Sequence, residues 1–158
     1  MIRAGLGFDS HSFDEGRRPL VLGGVTIPGV KGLAGHSDAD VVAHAVADAL
    51  LGAAGLGDLG DSFPDTDRWK DADSIAILRE CAIAARAAGC SVINVDVTVI
   101  AQTPKLAPFR AEMARNLAGA LDVSPDSVSI KATTTDGLGA IGRGEGIGAI
   151  AVTLVERP

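Results

Sequence analysis

The chain is poor in aromatic residues, cysteine and positive charge. Aromatic residues make up 3% of its 158 residues and Tyr is absent, so a core must be built from Ala, Val, Leu and Ile. The 14 Lys and Arg residues are outnumbered by 20 Asp and Glu residues, which argues against nucleic acid as a main partner. Cys81 and Cys90 are spaced too widely for a zinc knuckle and are too few for a disulfide framework. This favours a reducing, cytoplasmic setting.

Long apolar runs are also missing. No stretch is long enough to cross a membrane, and the N-terminal residues do not read as a signal peptide, so we expect no membrane association. Neither the P-loop motif nor the Rossmann glycine fingerprint occurs, which argues against those two modes of nucleotide binding. The length, with 47% apolar residues, predicts a single domain over residues 1–158.

Histidine is scarce, and its placement is informative. The chain has three: His11, His36 and His44. Asp9 and His11 are two residues apart at the end of a predicted strand, so their side chains point to the same side and can offer two ligands to a divalent metal. Such a pair is also common in turns and surface hydrogen bonds. A zinc site needs a third protein ligand, and an open position if it is catalytic.

The other two histidines belong to a stretch that predicts a helix beginning near Ser37. Ser37 is a suitable N-cap, and Asp40 follows three residues later as in a capping box. Asp40, His44 and Asp48 then lie on one helix face. This face is either solvated, or it carries His44 as the third metal ligand with one of the aspartates orienting the ring.

The remaining pattern predicts an alternation of strands and helices. In the strand over residues 92–100, Ile93 and the three valines after it at every second position share the apolar face. The order of elements predicts an α+β fold, a two-layer α/β domain in which a mixed four-stranded sheet carries helices on one face. The other predicted elements are strands over 2–8, 128–133 and 147–155, two short strands within 20–27, helices over 74–88 and 108–121, and an irregular segment over 52–73.

Three polar features allow two interpretations each. The acidic residues between positions 58 and 67 are either solvated or bind a polyol. Lys105 either contacts a phosphate or is an ordinary surface lysine. The three threonines at 133–135 suit a nucleotide or phosphate, and they also suit an ordinary β segment.

Short motifs are spread over the chain: GFDSH at 7–11, IP at 27–28, KGL at 31–33, HSD at 36–38, FPDTD at 63–67, NVD at 94–96, AQTPK at 101–105, KATTT at 131–135 and GRGEG at 142–146, with His44 between them. In this order and spacing, they resemble the 2-C-methyl-D-erythritol 2,4-cyclodiphosphate synthases of the non-mevalonate isoprenoid pathway. The resemblance covers nearly the whole chain. It implies a homotrimer with active sites between subunits. In each site the 2-phosphate of 4-diphosphocytidyl-2-C-methyl-D-erythritol 2-phosphate attacks the β-phosphate of the same molecule, which releases CMP and a cyclic diphosphate.

The resemblance also implies roles for individual residues. Asp9, His11 and His44 would hold one Zn²⁺ per subunit, and His36 and Thr134 would act with them in catalysis. Mg²⁺ or Mn²⁺ would bridge the substrate phosphates. Ser37 and His36 would bind the 2-phosphate at a helix start. Asp58, Gly60 and Asp65 would bind the methylerythritol unit. The cytidine diphosphate would be bound by residues of the neighbouring subunit, namely Ala101, Lys105, Leu106, Ala132 and Thr133.

Two positions depart from the family pattern. Asp136 stands where the family often has Glu as the contact to the second metal, and it is one methylene shorter. Ala140 stands where the family tends to have an aromatic residue beside a central apolar channel. Arg143 is expected to face this channel and to bind an isoprenoid diphosphate there. Three alternatives stay open: a zinc-stabilised trimer that only binds isoprenoid diphosphates, a metal-dependent diphosphate hydrolase, and a purely structural zinc protein.

Overall fold

The computed structural model of the chain describes residues 1–16, 18–64 and 69–158, so the predicted site residue Asp65 lies outside the described residues. Within that part of the chain, a four-stranded sheet has the spatial order β1 (Ile2–Ser12), β6 (Gly146–Glu156), β4 (Ser91–Ile100) and β5 (Val128–Thr133). The pairs β1/β6 and β6/β4 are antiparallel and β4/β5 is parallel. The predicted mixed four-stranded sheet is therefore confirmed.

A small hairpin and several helices complete the fold. β2 (Pro19–Leu22) pairs with β3 (Val25–Lys31) around a turn at Gly23 and Gly24, close to the two short strands predicted within 20–27. Helix α1 (Val41–Ala54) packs on β1 and β6, α4 (Arg110–Leu121) packs on β5, and α3 (Ser74–Ala87) lies against both helices. Two single helical turns occur in the connections: α2 (Leu59–Ser62) between α1 and α3, and α5 (Gly139–Gly142) between β5 and β6. Among the described residues, no helix combines the length and apolar character needed to cross a membrane.

Helix α1 begins at Val41 rather than near Ser37. Its N-cap is Asp40, whose Oδ1 accepts the N–H groups of Val42 and Ala43 at 3.0 Å each. Ala39 has a left-handed φ of 59°, which an α-helix cannot include, so residues 37–39 do not extend the helix. The prediction of Ser37 as the cap was wrong. The N–H groups at the helix start donate to Asp40, so they are not available to a ligand.

Strand β4 departs from the predicted alternation at one residue. Val92 pairs with Val155 and Asn94 pairs with Leu154, so Ile93 is an extra residue in a β-bulge. Its side chain is 41% exposed, whereas the three valines that follow it at every second position are buried. The bulge resets the alternation, which the sequence pattern alone does not indicate.

Strand β1 and helix α1 lie unusually close together because β1 has glycine on its buried face. A Cβ placed on Gly7 would lie 2.0 Å from the carbonyl oxygen of Ala45, and Gly5 is equally crowded. Only glycine allows this approach of two backbones. It brings the end of β1, which carries Asp9 and His11, against the first half of α1.

The two faces of the large sheet differ in character. The face toward the helices is buried and forms the core with α1 and α4. On the opposite face Leu6 and Val152 are paired across β1 and β6, and they are 69% and 38% exposed, with Phe8 at 57%. The described part of the chain thus leaves an apolar face of its sheet open to solvent.

Candidate active site

The end of β1 and the first half of α1 bring Asp9, His11 and His44 together. Oδ2 of Asp9 lies 3.1 Å from Nε2 of His11 and 2.9 Å from Nδ1 of His44. One ligand atom from each residue lies within 4.8 Å of the other two. The three side chains are between 13% and 26% exposed, so the set is sheltered and still open on one side.

Hydrogen bonds within this group of side chains shift the pKa values of Asp9 and His11. Burial by itself raises the pKa of Asp9, but the hydrogen bonds from His11 and His44 outweigh it and hold that pKa well below its usual range. The hydrogen bond to Asp9 raises the pKa of His11, against the opposing effect of burial. The carboxylate is therefore charged at any moderate pH, and it favours the protonated form of His11.

This set fits a divalent cation, which replaces protons between the carboxylate and the two rings. One carboxylate oxygen and two imidazole nitrogens are donors that transition metals and zinc accept. Three protein ligands leave a coordination position for a further ligand. The residues that the sequence predicted as metal ligands are thus brought together by the fold, and we call them the metal set below.

The far side of the His44 ring contacts two serines. Nε2 lies 2.8 Å from Oγ of Ser74 and 3.1 Å from Oγ of Ser37. Ser74 in turn donates its hydroxyl to Oδ1 of Asp38 and its backbone N–H to Oδ2 at 3.1 Å. Nothing in the sequence indicates Ser74, since a serine at the first position of a distant helix has no distinctive pattern.

The two aspartates expected to orient His44 have other partners. Asp40 is fully buried and also accepts the N–H groups of Gly23 and Gly24 at 2.8 and 2.7 Å. Asp48 accepts the N–H of Leu59 at 3.3 Å. Asp40 is therefore not part of a solvated helix face, and the expectation that an aspartate of α1 orients His44 was wrong.

The loop of residues 35–37, which carries His36, is fixed from outside by two charged residues. Arg18 donates from Nη1 to the carbonyl of Gly35 at 2.7 Å and from Nη2 to that of Ser37. Asp71 accepts from Arg18 at 3.1 Å and donates its N–H to the carbonyl of His36 at 2.8 Å. All three carbonyl groups of the loop are engaged, which fixes its backbone. No sequence motif indicates this role for Arg18 or Asp71.

Two hollows flank His44. In the first, the rings of Phe63 and Trp69 meet edge to face with centroids 4.7 Å apart. The second brings the predicted residues Asp58 and Gly60 beside the metal set. The first hollow joins the metal set to the loop of residues 35–37, and its lining is His11, Gly35, His36, Ser37, His44, Leu59, Gly60, Phe63, Trp69 and Ile77.

The residues predicted to bind cytidine diphosphate lie elsewhere on the sheet. They lie at or just after the ends of the parallel strands β4 and β5, where the N–H of Ala101 donates to the carbonyl of Thr133 at 3.0 Å. Lys105, Ala132 and Thr134 are exposed there, while Ala101 and Leu106 are buried. Of the described residues, none in this group lines the two hollows beside His44.

This separation follows from the strand order. Strands β1 and β4 both run antiparallel to β6, so they finish at the same end of the sheet, and β5 is parallel to β4. β1 and β5 are however the two edges. Three interstrand spacings put them about 14 Å apart. A single chain therefore holds the metal set and the predicted cytidine group at opposite edges of one sheet end.

Comparison with known proteins agrees with this geometry. The sequence model of the YgbB family matches residues 2–156. The chain belongs to the YgbB family. A relative from Pelotomaculum thermopropionicum, named 2-C-methyl-D-erythritol 2,4-cyclodiphosphate synthase, is 57% identical over 157 residues, which are 99% of this chain and 96% of that protein.

Solved structures from other organisms have the same fold. The bifunctional IspDF of Campylobacter jejuni matches with a TM-score of 0.95 and 45% identity, over 100% of this chain and 43% of that longer one. IspF of Plasmodium falciparum in complex with CDP matches with a TM-score of 0.86 and 32% identity, over 99% of this chain and 96% of that one. The fold of this YgbB member is therefore one on which CDP has been seen bound.

Two of the predicted residues near the end of the sheet have local partners. Asp136 has a left-handed φ of 52°. Its Oδ1 accepts a hydrogen bond from Oγ1 of Thr134 at 3.1 Å. Arg143 donates from Nε to Oε1 of Glu145 at 2.6 Å, and this ion pair raises the pKa of the guanidinium. Both Asp136 and Arg143 are exposed in the single chain.

Proposed function

We propose that this protein converts 4-diphosphocytidyl-2-C-methyl-D-erythritol 2-phosphate into 2-C-methyl-D-erythritol 2,4-cyclodiphosphate and CMP. The observation that carries the proposal is the metal set of Asp9, His11 and His44, in a member of a family whose relatives are named for this reaction. An oxygen of the 2-phosphate bonds to the β-phosphorus. The bond from that phosphorus to the bridging oxygen breaks, and CMP leaves with its electron pair. The nucleophile is already an anion, so no general base is required.

We assign Zn²⁺, one per chain, to the metal set. One carboxylate with two imidazoles is a frequent zinc donor set that keeps a position open. When bound, the ion supplies Lewis acidity to a phosphate oxygen of the substrate. The chain's own contribution is to fix the three donors by the close packing of β1 on α1, and to place the loop of residues 35–37 at the same hollow.

His36 and Ser37 would hold the 2-phosphate. The loop that carries them presents its carbonyl groups to Arg18 and Asp71, so its side chains are the groups left to face the hollow. The N–H groups at the start of α1 do not take part, because Asp40 accepts them. Phosphoryl transfer gains most from such positioning and from cations near the phosphate oxygens. Asp58, Gly60 and Asp65 would hold the methylerythritol unit.

The cytidine diphosphate would lie at the ends of β4 and β5, held by Ala101, Lys105, Leu106, Ala132 and Thr133. Thr134 and Asp136 would act at the phosphates, with Mg²⁺ or Mn²⁺ bridging them. The hydrogen bond from Thr134 to Asp136 supports this assignment because it places a hydroxyl and a carboxylate side by side. Since Asp136 is one methylene shorter than Glu, we expect it to contact this ion through water or to hold it with altered affinity.

We further propose that three copies assemble so that the cytidine group of one chain meets the metal set of the next. The distance between the two sheet edges supports this arrangement, and so does the exposed apolar face around Leu6, Phe8 and Val152. Arg143 would then face a central channel and bind an isoprenoid diphosphate. A cytoplasmic location agrees with the two buried free thiols and with a charged nucleotide substrate.

The function is tested by measuring CMP release. The zinc-loaded protein is compared with the same protein after treatment with a chelator, and with the variant His44→Ala. We expect CMP release that needs zinc, and almost complete loss in His44→Ala while the protein stays folded. Full activity of a metal-free His44→Ala protein would contradict the proposed mechanism. Binding of CDP without any turnover would instead support a binding protein.

Sharing of the site between chains has its own test. His44→Ala and Lys105→Ala should each be impaired at low substrate concentration, and Lys105→Ala should bind CDP more weakly. If the two lesions fall in different halves of a shared site, mixing the unfolded variants and refolding them together restores intact sites and activity. No recovery in refolded mixtures would mean that each chain holds a complete site.

A further inference from the structure

The imidazole of His44 is held from both sides, and the two sides are chemically different. Nδ1 faces the metal set, 2.9 Å from Oδ2 of Asp9. Nε2 faces the interior, where Ser74 is 1% exposed and its Oγ is 2.8 Å away. The direction of the hydrogen bond between Nε2 and Ser74 decides which ring nitrogen is free to bind a metal.

The hydroxyl proton of Ser74 is already committed. Oδ1 of Asp38 accepts it, and Oδ2 of the same carboxylate accepts the backbone N–H of Ser74 at 3.1 Å. Asp38 is itself held in place, since it accepts the N–H of Asp40 at 3.2 Å and donates its own N–H to the carbonyl of Ala72 at 3.0 Å. A carboxylate has no proton to give, so Ser74 must be the donor in this pair.

Toward His44, therefore, Ser74 can act only as an acceptor. A serine hydroxyl has one proton and two lone pairs, and the lone pairs are what remains for Nε2. In the 3.3 Å contact between the two serine hydroxyls, Ser37 is the donor because the proton of Ser74 is already given to Asp38. Oγ of Ser37 also accepts the N–H of Ala39 at 3.3 Å, so neither serine has a proton left for Nε2. Nε2 must then carry the hydrogen.

We propose that Ser74, oriented by Asp38, is a positioning residue that keeps a hydrogen on Nε2 of His44 and so reserves the Nδ1 lone pair for the metal. This inference rests on the proposed function only in taking His44 as a metal ligand. The connection reaches the site from helix α3, outside the β1 and α1 elements that carry the ligands. It fixes both the tautomer and the orientation of the ring.

The direct test is zinc affinity, measured by competition with a chromogenic chelator. We expect Ser74→Ala to weaken zinc binding by about 10- to 100-fold, which is the usual effect of removing the group behind a ligating histidine. Asp38→Asn should also weaken it although Ser74 is still present, because an amide N–H directed at Oγ frees the serine proton to point at Nε2. Zinc affinities of both variants within twofold of the wild type would overturn the proposal.

The matched control is Asp73→Ala, because Asp73 caps α3 next to Ser74 by accepting the N–H of Ile75. This variant loosens the same helix end without altering the hydrogen bonds around His44, so we expect its zinc affinity to remain that of the wild type. A loss equal to that of Ser74→Ala would show that the helix end matters and not the hydroxyl, which also overturns the proposal.

A spectroscopic measurement separates the tautomer from affinity in general. In zinc-loaded, ¹⁵N-labelled protein, the Nε2–H of His44 should give a slowly exchanging proton signal, and this signal should be lost in Ser74→Ala. A protonated Nδ1 in the loaded wild-type protein would contradict the inference. None of these measurements requires turnover, so a failure of the proposed reaction and a failure of this inference give different results.

Discussion

Gly7 faces the carbonyl oxygen of Ala45 so closely that a Cβ on Gly7 would lie 2.0 Å from it. No rotamer change relieves this overlap, because both groups belong to the backbone. The strand that carries two metal ligands and the helix that carries the third are thus set at a distance that one methyl group would increase.

We therefore expect Gly7→Ala to cost about 3 kcal/mol or more in the free energy of unfolding, at the upper end of overpacking effects. Zinc affinity should fall with it, because the two elements move apart. Urea unfolding and chelator competition measure the two effects. The control is Gly52→Ala on α1, where a Cβ meets nothing within 4 Å and the change should be neutral or stabilising by up to about 1 kcal/mol. Equal stabilities of the two variants would refute the argument.

Asp40 combines a helix cap with a tertiary contact. It accepts the N–H groups of Val42 and Ala43 in α1 and those of Gly23 and Gly24 in the hairpin turn. Burial raises its pKa to about 6, against the lowering by these N–H donors.

Asp40→Ala leaves four N–H groups without an acceptor, two of them in another element. We expect it to cost about 2–4 kcal/mol, from a lost cap and unpaired buried donors. Asp73→Ala, which removes an exposed cap, should cost about 1 kcal/mol. Thermal and urea unfolding of both variants measure the difference, and similar losses would show that the contacts to the hairpin contribute little.

Arg18 is predicted to act on substrate binding and not on the metal. Arg18→Ala releases the carbonyl groups of Gly35 and Ser37, so the loop with His36 loses its fixed shape. We expect KM to rise about tenfold or more, since a loop that must be ordered on binding costs about 1.5 kcal/mol or more, and zinc affinity to stay unchanged. Arg86→Ala, which removes an exposed ion pair with Asp122, is the control. Unchanged KM in Arg18→Ala would remove the loop contact from the account.

The metal-free protein should become less stable as the pH rises. The pKa of His11 is raised in the folded state, chiefly by its hydrogen bond to Asp9. A raised histidine pKa means that the stabilisation is complete below the ordinary value of 6.5 and is lost as the pH rises through the folded-state pKa. The pKa of Asp9 is lowered, so its own contribution disappears only in strong acid. Hence the Tm of chelator-treated protein should fall as the pH rises above about 6.5.

Zinc should reverse this slope, because the metal and the protons compete for the same imidazoles and the metal gains as the pH rises. In His11→Gln the metal-free Tm should depend less on pH than in the wild type. Calorimetry at several pH values, with and without zinc, gives all of these slopes. Parallel profiles for wild type and His11→Gln without metal would contradict the assignment.

The metal set could be predicted from the sequence because its geometry is mostly local. Asp9 and His11 share one side of a strand by simple alternation, and His44 lies on a helix that the residue pattern indicates. The glycines of β1 then bring the two elements together. The sheet and helices were predictable for the same reason, since alternation and helical periodicity are local properties.

What the sequence did not predict depends on contacts between distant segments. Ser74 is 30 residues from His44, and Arg18 is 17 or more residues from the loop carbonyls that it holds; neither residue type has a distinctive pattern. The start of α1 was misplaced because Ser37 resembles a cap, and only the hairpin turn explains why Asp40 takes that position. The bulge at Ile93 likewise depends on pairing with β6.

The central claim is that the metal set and the loop of residues 35–37 direct the 2-phosphate onto the β-phosphorus. Phosphorus NMR of the purified, zinc-loaded protein with the cytidine diphosphate substrate and Mg²⁺ tests it most directly, with His44→Ala as the control. The account predicts two coupled signals of a cyclic diphosphate, formed together with CMP and absent in the variant. CMP with a linear, uncyclised phosphate product would contradict it, because water and not the 2-phosphate would then be the nucleophile.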